Sequence, residues 1–241
     1  PGSPTYKGDA KYFKNMVEHV DQLVGRIASK VDELGLSENT LIVFTGDNGT
    51  DVPVVTSLNG KSVAGGKGKA DRDSGVRTPF FVTMPGTVQA GKISNELVDF
   101  SDLLPTFCEL AKIDTSENKN LDGVSLLPTL IGKGERKKPW SYLFYSRNDA
   151  TQSASSVVVR NATHLVYRKG GPDKKIEFFD CSTPYESKLQ KSSDLSDDER
   201  KVFAELSSVM KRYDTQYQSD LSKAAVQQWQ KKTRGGKKKK Q

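Results

Sequence analysis

The chain has 241 residues, 34% hydrophobic and 28% charged, enough for one large domain or two small ones with a sizeable core. No apolar run approaches the ~18–20 residues a helix needs to cross a membrane, and the opening PGSPTYKGDAKY has no signal-peptide core, as a mature or truncated start would also lack. The net charge of +7 sits at the end: Lys231, Lys232, Arg234, Lys237, Lys238, Lys239 and Lys240 supply seven charges, leaving the body neutral and 233–241 as a basic, disordered tail without the aromatic interleaving of a nucleic-acid site.

Residues 9–34 predict a long amphipathic helix. Met16, Val17, Val20, Leu23, Val24, Ile27, Val31 and Leu34 recur at spacings of three and four, and Gly35 is a natural stop. Leu41, Ile42, Val43 and Phe44 then form a continuous apolar run between Thr40 and the turn formers Gly46 and Gly49. That pattern predicts a strand over 40–45 buried on both faces, as in a parallel sheet covered by helices. Ligands of such sheets sit beyond the carboxyl ends of the strands, where Asp47 and Asn48 fall. A carboxylate and an amide oxygen are hard donors, suited to Ca²⁺ or Mg²⁺ rather than Zn²⁺. Asp-Asn-Gly is equally an ordinary turn sequence, because all three residues tolerate left-handed backbone.

Residues 46–78 lack periodicity and read as a long loop, a common location for function. Gly65, Gly66 and Gly68 put Lys67 on a backbone free to approach a ligand closely. An ammonium near a hard-cation site suits a sulfate or phosphate group and a departing negative charge; the plain alternative is a flexible basic surface loop. A strand is predicted over Phe80 to Met84, stopped by Pro85-Gly86, and Ser101 or Asp102 as the cap of a helix DLLPTFCELAKI. Cys108 reads as an apolar residue of that helix. With Cys181 it allows one disulfide, and neither cysteine has metal-site spacing.

From about residue 138 the texture changes. SYLFYSR (141–147), SSVVVRN (155–161), THLVYRK (163–169) and KIEFFDC (175–181) are four short strand candidates of an antiparallel meander. From Ser196 to about Lys231 a helical stripe returns: Val202, Phe203, Leu206, Val209, Met210 and Tyr213, introduced by a capping serine and SDDE acids. The expected fold is α/β, with residues 1–137 in a helix-covered, mostly parallel sheet and 138–232 in a small four-stranded antiparallel sheet with a long helix.

In order, MVEHVDQLVGRIASKVDELGLSENTLIVFTGDNGT, GGKGKADRDSGVRTPFFVTMPG, VDFSDLLPTFCELAKI, LDGVSLLPTLIG, VVVRNATHLVYRK and IEFFD resemble the C-terminal half of the sulfatase family of the alkaline-phosphatase-like superfamily, across roughly residues 10–215. By that resemblance, Asp47 and Asn48 match the pair that binds a calcium ion beside the sulfate. Lys67 matches the lysine that contacts the sulfate and stabilises the leaving group. Arg77 stands just before Pro79, where related sequences carry Arg or His, and is a candidate sulfate contact; Asp102 matches a helix-start residue read as a cap; His19 and His164 read as surface residues. Members using zinc or manganese typically place histidine where Asn48 stands, so Asn48 argues for one hard cation and for sulfate over phosphate.

The resemblance implies a sulfate-ester hydrolase whose Ca²⁺ (Mg²⁺ as second choice) works with a formylglycine nucleophile. It also implies a sulfated small molecule or glycan as substrate, and a periplasmic or secreted setting. The formylglycine arises from Cys or Ser in C/S-x-P-x-R, a context neither Cys108 nor Cys181 has. The nucleophile and the remaining calcium ligands are therefore expected in an N-terminal sulfatase segment outside this chain. Without it we expect an inactive chain, weak metal binding and apolar surface left exposed by the opening helix–strand unit. Two alternatives are a phosphodiesterase or phosphonate hydrolase of the same superfamily, and a non-catalytic polyanion-binding module using Lys67, Arg72, Arg77 and the tail.

Overall fold

A computed structural model describes residues 10–118, 121–134, 136–146 and 155–220. The basic tail and the helical residues expected beyond 220 lie outside them. A single 3-10 turn, Ala10–Tyr12, leads into helix α1, Phe13–Glu33. Gly35 ends it at φ +67°, with the Leu36 amide donating back to the Val31 carbonyl at 3.0 Å. No residue of α1 is buried, and its stripe of Met16, Val17, Val20, Leu23 and Ile27 is exposed.

Strand β1, Ile42–Thr45, pairs antiparallel with β4, Phe80–Thr83. All four β1 residues are only half-buried, and Phe81 on β4 is exposed. The expectation of burial on both faces is corrected here: among the described residues no third strand joins this pair. The continuous apolar run is real, but the surface it suits is open.

The expected structureless loop 46–78 contains elements. Strands β2, Val55–Leu58, and β3, Lys61–Ala64, form a hairpin. Its two-residue turn is Asn59-Gly60, with φ of +49° and +78°. That is the mirror-image turn whose twist matches paired strands, and Asn-Gly is its commonest sequence. One turn of helix, α2, follows over Asp73–Val76.

The cap at 101–102 is also corrected. Asp99 caps a 3-10 turn, Phe100–Asp102, which runs into α3, Leu103–Leu110; Asp102 answers Asp99 by accepting its amide at 3.0 Å. Asp102 itself is fully buried and holds Lys138 Nζ at 2.6 Å and Arg136 Nη1 at 2.7 Å. It joins the start of α3 to the chain after the short helix α4, Leu127–Leu130, a larger role than capping.

The C-terminal sheet has five strands in sequence order, all antiparallel: β5 Ser141–Ser146, β6 Ser155–Arg160, β7 His164–Lys169, β8 Ile176–Asp180 and β9 Lys188–Gln190. The last strand adds to the four expected. One face carries Val157, Val159, Val166 and Phe178 against Leu206, Val209, Met210 and Tyr213 of α5, Asp197–Asp220. The predicted helical stripe is the packed one, each fully buried side chain contributing roughly 1.5–3 kcal/mol. The Ser196 hydroxyl accepts the Glu199 amide at 3.3 Å and Glu199 accepts the Ser196 amide at 2.8 Å, a reciprocal cap. The other face carries Val158, Leu165 and Cys181 against Ala70 and Val76, so the sheet backs directly onto the segment that follows Lys67. Cys108 and Cys181 are free thiols, and His164 stacks on Phe178 with ring centres 5.0 Å apart.

Candidate functional site

The chain leaves β1 at Thr45 and turns through Gly46, Asp47, Asn48 and Gly49. Asp47 is exposed, Asn48 half-buried and Gly49 buried. The Thr50 carbonyl then accepts two amides from the glycine-rich loop, Gly66 at 3.0 Å and Lys67 at 2.9 Å. The Gly49 amide donates to the Gly75 carbonyl of α2 at 2.9 Å. Gly49 and Thr50, directly after Asn48, thereby tie this turn backbone to backbone to Lys67 and α2.

Glycine is required at these contacts for lack of space. A Cβ on Gly49 would lie closer than 3.0 Å to the Ser74 carbonyl, one on Gly66 equally close to the Gly75 amide, and one on Gly75 to the carbonyls of Lys69 and Gly66. Gly65 meets the backbone of Asp51 and Thr50 in the same way. Three separate stretches, DNG, GGKG and DSG, are interlocked through bare backbone. Gly68, at φ +80°, turns the chain after Lys67 and leaves that side chain exposed.

All four residues singled out from sequence line one open cleft: Asp47, Asn48, Lys67 and Arg77. The cleft has a volume of about 1640 Å³, and Lys69 and Arg160 also face it. Arg77 is not free within it. Its Nη1 lies 3.5 Å from Asp73, and its guanidinium sits over the Tyr185 ring at 5.2 Å. His19, on α1, is exposed.

Two residues of this region escaped the sequence reading. Asp73 is 1% exposed and bonds Arg160 Nη1 from the end of β6. The Arg160 Nε also donates to the Asn161 carbonyl at 3.3 Å. The available signal was weak: an aspartate four residues before Arg77, easily read as a helix-surface pair.

Asp47 and Asn48 provide the donor type a hard cation takes. Their number falls short, since Ca²⁺ prefers about 6–8 oxygens, and among the described residues no three His, Cys, Asp or Glu side chains cluster to hold a metal. Lys67 brings an exposed positive charge to the same wall. The arrangement can bind an anion and contribute part of a cation site.

The family described as Sulfatase matches residues 6–113, and the one described as N-sulphoglucosamine sulphohydrolase, C-terminal, matches residues 70–216. The N-acetylgalactosamine-6-sulfatase of Canis lupus familiaris is 31% identical over 146 residues, covering 59% of this chain and 27% of that protein. The steryl-sulfatase of Homo sapiens is 35% identical over 143 residues, covering 56% and 24%. The solved structure of a 2-O GAG sulfatase superposes with a TM-score of 0.65 at 24% identity, covering 88% of this chain and 44% of that one. The chain thus spans about a quarter of the curated relatives it matches and under half of that structural neighbour. Its α/β region, antiparallel sheet and closing helix follow the alkaline-phosphatase-like fold of the sulfatases. On these matches, the chain belongs to the sulfatase family and corresponds to its C-terminal part.

Proposed function

We propose that this chain is a portion of a sulfate-ester hydrolase, carrying the sulfate clamp and part of a hard-cation site. The observation that supports it is the convergence of Asp47, Asn48 and Lys67 on one cleft, from segments separated by a hairpin and tied by glycine contacts. The names of the relatives favour a sulfated sugar or a small sulfate ester as substrate.

In this reading Lys67 contacts the sulfate and stabilises the negative charge that develops on the leaving oxygen. A positive charge fixed where negative charge develops is among the strongest contributions a protein makes to catalysis. Arg77 lies on the same wall and adds to the positive field at the sulfate. Asp47 and Asn48 would hold Ca²⁺, with Mg²⁺ the second choice. A bound cation of this kind supplies Lewis acidity toward sulfate oxygens. The remaining ligands and the formylglycine nucleophile come from an N-terminal sulfatase segment bearing C/S-x-P-x-R. The same segment covers the apolar stripe of α1 and the open faces of β1 and β4, which would otherwise face water.

Complementation tests this. Co-expression of the chain with such a segment is expected to give aryl sulfate hydrolysis that the chain alone lacks. Lys67→Ala is expected to lower kcat by ~10²–10³, the usual effect of removing one transition-state donor. Hydrolysis of phosphodiesters with Mn²⁺ and none of sulfate esters would overturn the reading.

A further inference from the structure

Asp73 is the first residue of α2 and almost fully buried. Its carboxylate draws donors from distant parts of the chain: Arg160 Nη1, 87 residues away, and the Tyr185 amide at 3.4 Å, 112 residues away. Arg77 adds its guanidinium at 3.5 Å, sandwiched against the Tyr185 ring. A carboxylate this buried is costly unless paired and hydrogen-bonded. Arg160, held by the C-terminal sheet, is the nearest of the three donors that keep Asp73 inside.

The opposite side of α2 is the site. Gly75 accepts the Gly49 amide, and Gly66 and Lys69 press against the backbone of Ser74 and Gly75. Ala70 and Val76 meanwhile pack on Val158, Leu165 and Cys181 of the sheet. The short helix is a rigid block between the sheet and the two loops that present Asn48 and Lys67, and bare-backbone contacts leave little slack to absorb a shift.

Building on the sulfate-clamp reading, we propose that Asp73 is a positioning residue. Its pairing with Arg160 carries the register of the C-terminal sheet through α2 to Asn48 and Lys67. The sheet thereby aims the ammonium without touching the reacting group. Arg77 belongs to this clamp as well as to the cleft wall.

The test uses the full chain with Asp73→Asn, Arg160→Gln and the conservative Arg160→Lys. Amide hydrogen exchange at Gly49, Gly66 and Lys67 is expected to speed up about tenfold in the first two and much less in the third, a charge-assisted hydrogen bond being worth that order. Amides between β7 and β8 are expected to keep their protection. Unchanged exchange at the three site amides, or an equal rise throughout the sheet, overturns the proposal. Calorimetric titration with N-acetylgalactosamine 6-sulfate provides the second readout. Asp73→Asn and Lys67→Ala are each expected to weaken binding about tenfold, and the double variant no further, because one acts through the other. A multiplied, roughly hundredfold loss overturns it. Absence of binding by the unmodified chain counts against the sulfate reading, while the exchange experiment still decides the role of Asp73.

Discussion

The Gly49 amide and the Gly75 carbonyl meet at 2.9 Å, and neither residue has room for a side chain. This contact fixes the loop after β1 to α2. Gly75→Ala is expected to force the two backbones apart, costing at least the ~1–3 kcal/mol typical of overpacking. Gly60, which has open space around it but φ of +78°, is the control. Gly60→Ala is expected to cost ~1 kcal/mol from backbone strain alone, and to leave the cleft intact. Urea unfolding midpoints of the two variants check the difference; equal midpoints would remove the packing argument.

Asp102 carries a prediction about acid. Burial pushes its carboxyl pKa up, but hydrogen bonds from Lys138, the Asp99 and Val124 amides and Arg136 outweigh that and hold it below 3.8. A carboxyl whose folded pKa is depressed contributes stability above its unfolded pKa and loses it as pH falls through the folded value. Stability from this group is therefore expected to be level from pH 7 to 5 and to fall below about pH 4. Asp102→Asn takes one of two carboxylate partners from each of Lys138 and Arg136, leaving Asp99 at 2.7 Å and Glu96 at 3.0 Å, and is expected to cost about 1–3 kcal/mol at pH 7. Its stability curve is expected to drop less steeply in acid. An identical acid slope in the variant would refute the assignment.

The Arg168 guanidinium grips Asp214 through two nitrogens, Nη2 donating at 2.7 Å, and joins β7 to α5 inside the packed face. Losing one partner leaves a buried charge unpaired, so Arg168→Met is expected to cost about 3–5 kcal/mol. Replacing both, Arg168→Met with Asp214→Leu, is expected to recover most of that loss, because a well-packed apolar pair avoids the desolvation penalty. Thermal unfolding of the single and double variants decides it: a double variant less stable than the single would show that the ion pair itself holds the helix on the sheet.

These residues also mark what a sequence reveals. The stripe from Val202 to Tyr213 was legible because a helix packs at its own period, whatever it packs against. Asp47, Asn48 and Lys67 can be proposed from sequence because their chemistry is local, and the structure places them on one cleft. The β2–β3 hairpin was missed although Asn59-Gly60 announces it, because its exposed strands carry little apolar alternation. Strand β9, three residues long, has too few positions for any pattern. Asp73 was invisible because its meaning depends on Arg160, a partner set by the fold, and the true work of Asp102 depends on Lys138 in the same way. The half-burial of β1 departs from the expectation because an apolar run records the surface a strand suits, whether or not that surface is covered.

The proposed half-site at Asp47 and Asn48 yields the last expectation. One carboxylate and one amide supply at most three of the roughly 6–8 oxygens Ca²⁺ prefers, leaving water to fill the rest. An exposed carboxylate gains little from a cation it shares with bulk water, since the attraction is screened there. Calorimetric titration of the chain alone is therefore expected to show Ca²⁺ binding no tighter than ~1 mM, the weak end of protein sites. In complex with a sulfatase N-terminal segment the affinity is expected to rise by orders of magnitude and to fall again with Asp47→Ala. The rise has a physical source: closing the cleft removes competing water and adds carboxylates around the same point. Tight, stoichiometric binding by the isolated chain would mean that residues other than these two complete the site.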